Sequence, residues 1–354
     1  MGMWSEVMRM PRILSPVTSF RGAVEVISAG ADEIYCAVRI PKAMHLLNRP
    51  ASCCVPTYHE LGRIANHARL KGVETVVTLE LPFISDFMAT QMKEHISSCV
   101  SEGIDALIVG DIGLIRMIRD MGLDTPIYAS TLLGAMNYEA VEFMRKLGVE
   151  RVIPERHISI EEIGEIVERN KDVEIEVFVH GGGCSNINAN CYLELSRVPR
   201  DTYNKVASPT NLMVHPCRWP YDIYEFGNGE RKLARAPILD VFTLCSLCQL
   251  PELIETGVSG IKIVGRCMPL PYQVKATKMH RDLFDLMKRG LRDGFNRAQR
   301  KRFYRMVESF KEDPFQPGSP NPDGSWPTHR EVACARGRCY YSPFFHTPYR
   351  PLDS

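Results

Sequence analysis

The 354-residue sequence contains no long hydrophobic run. Its most apolar stretches, such as residues 106–110 and 175–179, are far shorter than the roughly 20 residues that a membrane-spanning helix requires. Residues 1–10 include Glu6 and no continuous apolar stretch, so they do not match a secretory signal. We therefore expect a cytoplasmic protein without membrane insertion.

A strong net charge of either sign is also missing. The sequence has 43 Lys and Arg residues against 42 Asp and Glu residues, which gives a net charge of +1. The simplest argument for a nucleic-acid partner therefore fails, although a local basic patch remains open. The hydrophobic content of 45% and charged content of 24% are ordinary for a soluble globular protein with a sizeable core.

Several well-defined catalytic motifs are absent from the sequence. There is no His-Glu-x2-His pattern, which argues against one large class of zinc proteases. There is no phosphate-binding loop, and the glycine run at residues 181–183 lacks the spacing of a dinucleotide fingerprint. The function must therefore come from other residues.

A short sequence motif recurs along the chain: a glycine, one or two polar residues and then a short apolar run. Copies begin at Gly30, Gly72, Gly103, Gly148 and Gly257, and each follows a stretch with helical periodicity. A glycine that ends a helix and is followed at once by a strand is typical of an αβ junction. The recurring motif therefore predicts alternating helices and strands.

Apolar segments of strand length are also present. We predict eight strands, at residues 12–15, 33–38, 75–81, 106–111, 126–131, 151–155, 174–180 and 260–266. Short apolar strands between helices indicate a parallel sheet that is buried on both faces. Eight such units favour a (β/α)8 barrel of the TIM type, with an open doubly wound sheet as the alternative.

The predicted barrel domain covers residues 1–310. It includes a Cys-rich, irregular insert at 181–248, between the seventh and eighth strands, and two closing helices at 273–290 and 295–310. Residues 311–354 are predicted to form a Pro-rich linker and a C-terminal helical and aromatic tail.

The chain has twelve cysteines, which in a large protein of a reducing compartment indicate metal binding rather than disulfides. Cys184 and Cys191 follow a glycine run, Cys217 lies in His-Pro-Cys-Arg-Trp, and Cys245 forms a Cys-x2-Cys pair with Cys248, the strongest bare motif. Thiolates suit both iron–sulfur clusters and zinc, and the spacing of these cysteines does not separate the two metals. The three glycines before Cys184 would let the backbone approach a ligand or cluster closely.

The remaining cysteines have simpler interpretations. Cys36 and Cys99 lie in apolar patterns and are expected to be buried small side chains. A Cys-x2-Cys pair such as Cys245 and Cys248, combined with further cysteines, more often indicates zinc. A second metal site is an open alternative to ordinary thiols for the group Cys334, Cys339, Cys267, Cys53 and Cys54.

Polar residues stand at the carboxyl ends of the predicted strands, where barrel enzymes carry their active sites. We predict that His180, Asp111, Glu155 and Arg266 supply proton transfer and anion binding. Further polar residues at the same ends are Glu80, Ser130, Thr131 and Arg156. Helix capping is the alternative role for Asp111, Ser130 and Thr131.

Residues 176–184, Glu-Val-Phe-Val-His-Gly-Gly-Gly-Cys, together with 190–196, Asn-Cys-Tyr-Leu-Glu-Leu-Ser, resemble the signature of the peptidase U32 family, the collagenase-like proteins. Further matching segments lie at residues 105–115, 126–131, 151–156, 250–257 and 262–266, so that the resemblance covers about residues 12–290. Two positions differ from the family's usual residues: Val264 stands in place of glutamate and Leu132 in place of glutamine.

The resemblance implies a cofactor and an activity. Several family members carry a 4Fe–4S cluster on four cysteines, which here would be Cys184, Cys191, Cys217 and Cys245. These members serve oxygen-independent hydroxylation of ubiquinone precursors or RNA bases. The resemblance thus implies a hydroxylase or related modifying enzyme that acts on a small aromatic cofactor precursor or an RNA base.

Two other functions remain open. One is a U32-type peptidase, and the other is a non-catalytic subunit that carries the cluster in a complex with a paralogous partner. The basic segment at residues 278–305 could face RNA or could be an ordinary solvated helix face.

Overall fold

The computed structural model describes residues 10–40, 51–80, 85–184, 187–190, 221–226, 230–236, 244–293 and 297–312, together with Thr328 and Arg330. Among these residues, every helix is too short or too polar to span a bilayer.

Eight parallel strands close into a barrel with the order β1-β10-β7-β6-β5-β4-β3-β2. The strands are β1 Arg12–Pro16, β2 Glu33–Cys36, β3 Glu74–Leu79, β4 Ala106–Val109, β5 Ile127–Ala129, β6 Arg151–Val152, β7 Glu174–His180 and β10 Gly260–Ile263. The predicted (β/α)8 barrel is confirmed, and the open sheet is wrong. All eight strands lie at their predicted positions, with β10 as the eighth barrel strand.

Helices alternate with the strands and continue beyond them. They are α1 Phe20–Ser28, α2 Tyr58–Leu70, α3 Asp86–Ser101, α4 Ile112–Asp120, α5 Tyr138–Lys146, α6 Ile160–Arg169, α7 Leu250–Glu255, α8 Leu270–Asp293 and α9 Arg297–Lys311. The last two correspond to the predicted closing helices. Because α9 ends at Lys311, its last residue falls one position beyond the predicted barrel domain.

The recurring glycines lie where the helices end. Gly30, Gly72, Gly103, Gly148 and Gly257 all have φ angles between 69° and 104°. This left-handed conformation is unfavourable for residues with a Cβ atom, so glycine at these positions allows the chain to leave each helix and enter the next strand.

The insert between β7 and β10 is not wholly irregular, which corrects the sequence-based prediction. It contains an antiparallel hairpin formed by β8, Tyr221–Phe226, and β9, Glu230–Ala236. The intervening sequence, Gly-Asn-Gly at 227–229, is a typical hairpin turn signal that the prediction overlooked. The rest of the insert at 191–220 and 237–243 lies outside the described residues.

A network of buried charges fills the amino-terminal floor of the barrel. Arg151 is fully buried and donates two hydrogen bonds to Glu33, at 2.6 and 2.7 Å, and one to Glu176 at 2.8 Å. Burial alone would raise the pKa of Glu33, but the hydrogen bonds and charge of Arg151 outweigh it and lower that pKa. Arg12 and Glu174 complete the network, which closes one end of the barrel and leaves the other as the candidate site.

Candidate active site at the barrel mouth

Arg266 reaches across the carboxyl end of the barrel, from the loop after β10 to the end of β3. Its Nη1 donates to Thr78 Oγ1 at 2.8 Å, and its Nη2 donates to Glu80. The arginine is 6% exposed, whereas the Glu80 side chain is 23% exposed, so the ion pair lies at the border between the barrel interior and solvent. The structure therefore places the predicted residue Arg266 in the mouth, together with Glu80.

Lys262 and Tyr35 lie deeper in the barrel than Arg266. The Lys262 Nζ is 4.4 Å from the centre of the Tyr35 ring and 3.6 Å from Glu176 Oε1. Burial lowers the pKa of Lys262, although the Glu176 carboxylate opposes this effect. These residues were not predicted, although a lysine within the otherwise apolar strand sequence Gly-Ile-Lys-Ile was a usable signal.

Glu155 fixes the segment that leads into the cysteine-rich insert. Its fully buried carboxylate accepts hydrogen bonds from the backbone N–H and the side-chain amide of Asn188. It also accepts from the backbone N–H of Arg156 at 3.1 Å and lies 3.3 Å from His157 Nδ1. The Asn188 side chain additionally donates to Thr131 Oγ1 at 3.3 Å. Glu155 thus ties the end of β6 to the residues just before Cys191, and its role in proton transfer remains a prediction.

Asp111 is the N-cap of α4, because its Oδ1 accepts a hydrogen bond from the Leu114 N–H at 2.7 Å. The capping alternative is therefore confirmed for this residue. Ser130 likewise accepts from the Leu132 N–H at 3.3 Å, at the start of the short 3-10 helix Thr131–Leu133. A catalytic role for Asp111 remains a prediction.

His180 lies on the helix side of the barrel wall. Its ring stacks on Tyr272 at 5.8 Å between centres and meets His280 and Phe310 edge-on at 5.6 and 5.8 Å. The pairing of β10 with β7 shifts register between Lys262 and Ile263, and His180 pairs with Ile263. The shift explains why His180 contacts α8 and α9 rather than continuing the inward face of β7. Its catalytic role remains a prediction that these contacts do not support.

Cys184 and Cys245 are brought to the same end of β7. Residues 244–246 run antiparallel to the end of this strand: Gly181 N–H donates to Leu244 O, and Ser246 N–H donates to Val179 O, both at 3.0 Å. Cys245 forms a β-bridge with His180, four residues before Cys184. Cys245 is buried, whereas Cys184 is partly exposed.

The glycines before Cys184 permit this arrangement. Gly181 and Gly182 have φ angles of 80° and 56°. A Cβ atom on Gly181 would lie 2.6 Å from Val264 O, and one on Gly182 would lie 2.4 Å from Val264 Cγ1. The backbone therefore approaches the loop after β10 closely, and its approach to a ligand or cluster stays a prediction.

The two predicted ligands that lie within the described residues, Cys184 and Cys245, have the donor chemistry that an iron–sulfur cluster requires. Two soft thiols, Cys184 and Cys245, stand at one end of β7, and thiolates are the usual cluster ligands. Cys191 and Cys217 lie outside the described residues, as do Cys334 and Cys339. Within the described ranges, no group of three or more potential metal ligands is assembled. The four-cysteine set remains a prediction.

One cysteine pair departs from the prediction of metal ligands rather than disulfides. Cys53 and Cys267 are joined by a disulfide, with their Cα atoms 4.9 Å apart. They follow β2 and β10, which both flank β1, so that their loops meet at the mouth. Their separation of 214 residues gave no spacing signal in the sequence. Cys36 and Cys99 are buried, as predicted, and burial raises the pKa of Cys36 to about 12.

Comparisons with known proteins place the chain among relatives whose names describe different functions. It is 29% identical over 65% of its length to tRNA hydroxylation protein P of Escherichia coli, and covers 49% of that protein. It is 25% identical over 77% of its length to the 23S rRNA 5-hydroxycytidine synthase of the same organism, and covers 39% of it. It is 24% identical over 79% of its length to the collagenase of Porphyromonas gingivalis, and covers 67% of that chain.

The chain thus spans only about 40% to two-thirds of the length of these relatives. A family model, described as peptidase family U32, matches residues 18–320. This match includes the whole barrel after β1 and both closing helices. The chain belongs to peptidase family U32.

Proposed function

We propose that this chain is an iron–sulfur-dependent hydroxylase that modifies an RNA base, or a small aromatic molecule, without molecular oxygen. The observation that carries the proposal is the charged barrel mouth, where Arg266 pairs with Glu80 at the same end of the barrel as Cys184 and Cys245, with the buried Lys262 beneath it. The names of the relatives, which specify hydroxylation of tRNA and rRNA, support the choice of reaction.

The four cysteines Cys184, Cys191, Cys217 and Cys245 would hold a 4Fe–4S cluster, which supplies electron transfer when bound. The chain's own residues would bind and orient the substrate. Arg266 offers guanidinium N–H donors to oxygen atoms of a substrate, while Glu80 and Thr78 fix its orientation.

Proton handling would fall to Lys262. Because burial lowers the pKa of this lysine, its Nζ can release a proton closer to neutral pH than an exposed lysine can. Glu176 Oε1, 3.6 Å away, lies near enough to stabilise the charged form. Glu155 would keep the cysteine-rich segment in place through Asn188.

A peptidase is the second candidate because of the collagenase relative, and one cysteine–histidine pair among the described residues is unsuited to nucleophilic catalysis. Cys99 Sγ lies 3.9 Å from His95, with both residues buried. Burial raises the pKa of the Cys99 thiol and lowers the pKa of His95 to about 4. A nucleophilic cysteine needs a lowered pKa and an accessible base. The Cys99 thiol has a raised pKa, and His95 is buried.

The first experiment tests the cluster. Protein purified without oxygen is expected to contain iron and sulfide and to show the absorption and EPR spectra of a 4Fe–4S cluster. Alanine variants of Cys184, Cys191, Cys217 and Cys245 should each lose most of the iron, because a missing thiolate ligand destabilises the cluster. Matched variants of Cys99, Cys248, Cys334 and Cys339 should retain it. Iron loss from Cys248→Ala but not from Cys245→Ala would reassign the ligand.

The second experiment tests the reaction. RNA from anaerobic cells that lack the gene is digested to nucleosides and compared by mass spectrometry with RNA from cells that express wild type or Cys184→Ala. We expect a nucleoside heavier by one oxygen atom only with wild type. Cluster-loaded protein that changes no nucleoside or aromatic metabolite, but forms a stable complex with a paralogue, would favour the non-catalytic subunit. Gelatin cleavage that disappears in Cys184→Ala would favour the peptidase.

A further inference from the structure

Arg156 lies at the mouth of the barrel, directly after Glu155 in the loop that follows β6. Its guanidinium carbon is 4.4 Å from the centre of the Phe178 ring. Phe178 pairs in register with Lys262, so both residues stand on the inward face of neighbouring strands. Arg156 is 8% exposed, which places its head group inside the mouth rather than in solvent.

The charges of the other arginines and lysines in the barrel interior are balanced. Arg151 is paired with Glu33, Lys262 with Glu176, and Arg266 with Glu80. Arg156 makes no ion pair with any carboxylate of the described residues, and its buried Nε finds no acceptor there. The adjacent carboxylate of Glu155 is occupied by Asn188, by His157 and by the backbone of Arg156 itself.

The Nε of Arg156 therefore has no hydrogen-bond acceptor among the described residues. A buried donor on a charged group is destabilised when it has no acceptor, so this arginine is expected to gain an acceptor when the site is filled. The Phe178 ring lies within cation–π distance of the guanidinium and attracts its charge without supplying an oxygen acceptor. The edge of a guanidinium matches two oxygen atoms of one carboxylate or phosphate.

We propose that Arg156 binds the oxyanion of a small molecule, either a carboxylate or a phosphate, in the barrel mouth, with Phe178 as the supporting surface. The proposal depends on the proposed function only for the position of the substrate at this end of the barrel. It adds that the substrate, or a second molecule that reacts with it, carries an oxyanion. Arg266 differs because Glu80 already neutralises its charge.

Binding of simple probes to the full chain tests this site. Isothermal titration is carried out with benzoate as the carboxylate probe, inorganic phosphate as the phosphate probe and uridine as a neutral probe. We expect wild type to bind at least one of the two anions, and Arg156→Ala to bind that anion about 10- to 100-fold more weakly. Arg156→Lys keeps the charge but loses the planar pair of donors, so its affinity should be intermediate. Uridine affinity should not change.

Arg116→Ala provides the matched control. Arg116 is an exposed arginine on α4 that is paired with Asp120 outside the barrel, and its loss should leave anion affinity at the wild-type value. Thermal unfolding establishes that each variant is folded, and Arg156→Lys decides the result if Arg156→Ala does not fold. Wild-type affinity for both anions in the Arg156 variants, or no anion binding by wild type, would overturn the proposal.

The probe titrations and the RNA analysis can fail separately. Anion affinity that falls in Arg156→Ala, in a protein that changes no nucleoside, would retain the oxyanion site and refute the hydroxylase. An altered nucleoside together with unchanged anion affinity in Arg156→Ala would do the reverse.

Discussion

The buried histidine of α8, His280, makes the stability of the folded protein depend on pH. His280 is fully buried in α8, and its Nδ1–H donates to Ala276 O at 2.8 Å. Burial lowers the pKa of His280 to about 4, and the hydrogen bond to Ala276 offsets this effect only in part. Its ring also meets His180 edge-on, so a charge on His280 would develop inside an aromatic cluster.

We expect His280 to make the folded protein less stable in acid. Between pH 6.5 and about 4 the unfolded chain binds a proton at this histidine and the folded chain does not, so the free energy of unfolding falls as pH drops through this window. The full effect is ~3 kcal/mol, and none of it applies above pH 6.5. His280→Asn keeps an N–H donor near Ala276 and removes the titration. Urea unfolding at pH 7.5 and pH 5 should show a smaller loss in this variant, and equal losses would contradict the assignment.

At the level of residues, the sequence predicted which polar residues follow the strands better than it predicted which way their side chains point. Arg266 lies in the mouth because it follows a barrel strand, as predicted. His180 also ends a strand, but a register shift between β10 and β7 accompanies its turn toward the helices, and no periodic pattern reveals such a shift. The Cys53–Cys267 disulfide depends on two loops that meet only when the barrel closes. Arg156 Nε has no acceptor among the described residues, and such a feature depends on side-chain geometry that the sequence does not show.

At the level of secondary-structure elements, variants at the start of α4 can separate a capping role of Asp111 from a catalytic role. Asp111 accepts the Leu114 N–H at the start of this helix. We expect Asp111→Ala to lower the free energy of unfolding by about 1 kcal/mol, because an N-terminal donor of the helix loses its partner. Asp111→Asn should retain the stability, since asparagine is an equally good cap.

The asparagine variant also tests the predicted catalytic role. If Asp111 transfers protons, Asp111→Asn loses activity at wild-type stability; if it only caps α4, both properties are retained. A loss of stability in Asp111→Asn as large as that in Asp111→Ala would show that the charge, rather than the cap, matters. Chemical denaturation and the nucleoside assay measure the two properties.

The order of elements was predictable because each barrel unit repeats the same local chemistry. Helix, glycine and apolar strand recur, and the glycines take the left-handed conformation that this junction requires. The β8–β9 hairpin was missed because it lies in a segment rich in polar and aromatic residues, where alternation is weak and only the glycine turn stands out. Strand β6, with only Arg151 and Val152, was predicted too long.

At the level of the whole molecule, the Cys53–Cys267 disulfide closes the chain over 214 residues. By the chain-entropy model a loop of this length restricts the unfolded state by up to ~5 kcal/mol. We therefore expect a dithiol reductant to lower the melting temperature of the wild-type protein. The double variant Cys53→Ser/Cys267→Ser should melt at the lower temperature with or without reductant, which separates this effect from any change at the other cysteines.

Thiol counting provides the independent measurement. Under denaturing conditions without reductant, wild type should show two fewer reactive thiols than after reduction, and the missing pair should map to the peptides of Cys53 and Cys267. Two reactive thiols at these positions in the native, unreduced protein would contradict the disulfide.

The charged floor of the barrel restricts the mutational routes along which the chain can evolve. A substitution that removes Arg151 first leaves Glu33 and Glu176 buried without their main partner, at a cost of about 3–5 kcal/mol. That loss is a large part of the 5–15 kcal/mol that stabilises a typical domain. Removing Glu33 or Glu176 first instead leaves the buried positive charge of Arg151 without one of its carboxylate partners. An apolar floor can therefore be reached only by several simultaneous changes, so selection can vary the loops at the mouth while the opposite end of the barrel stays fixed.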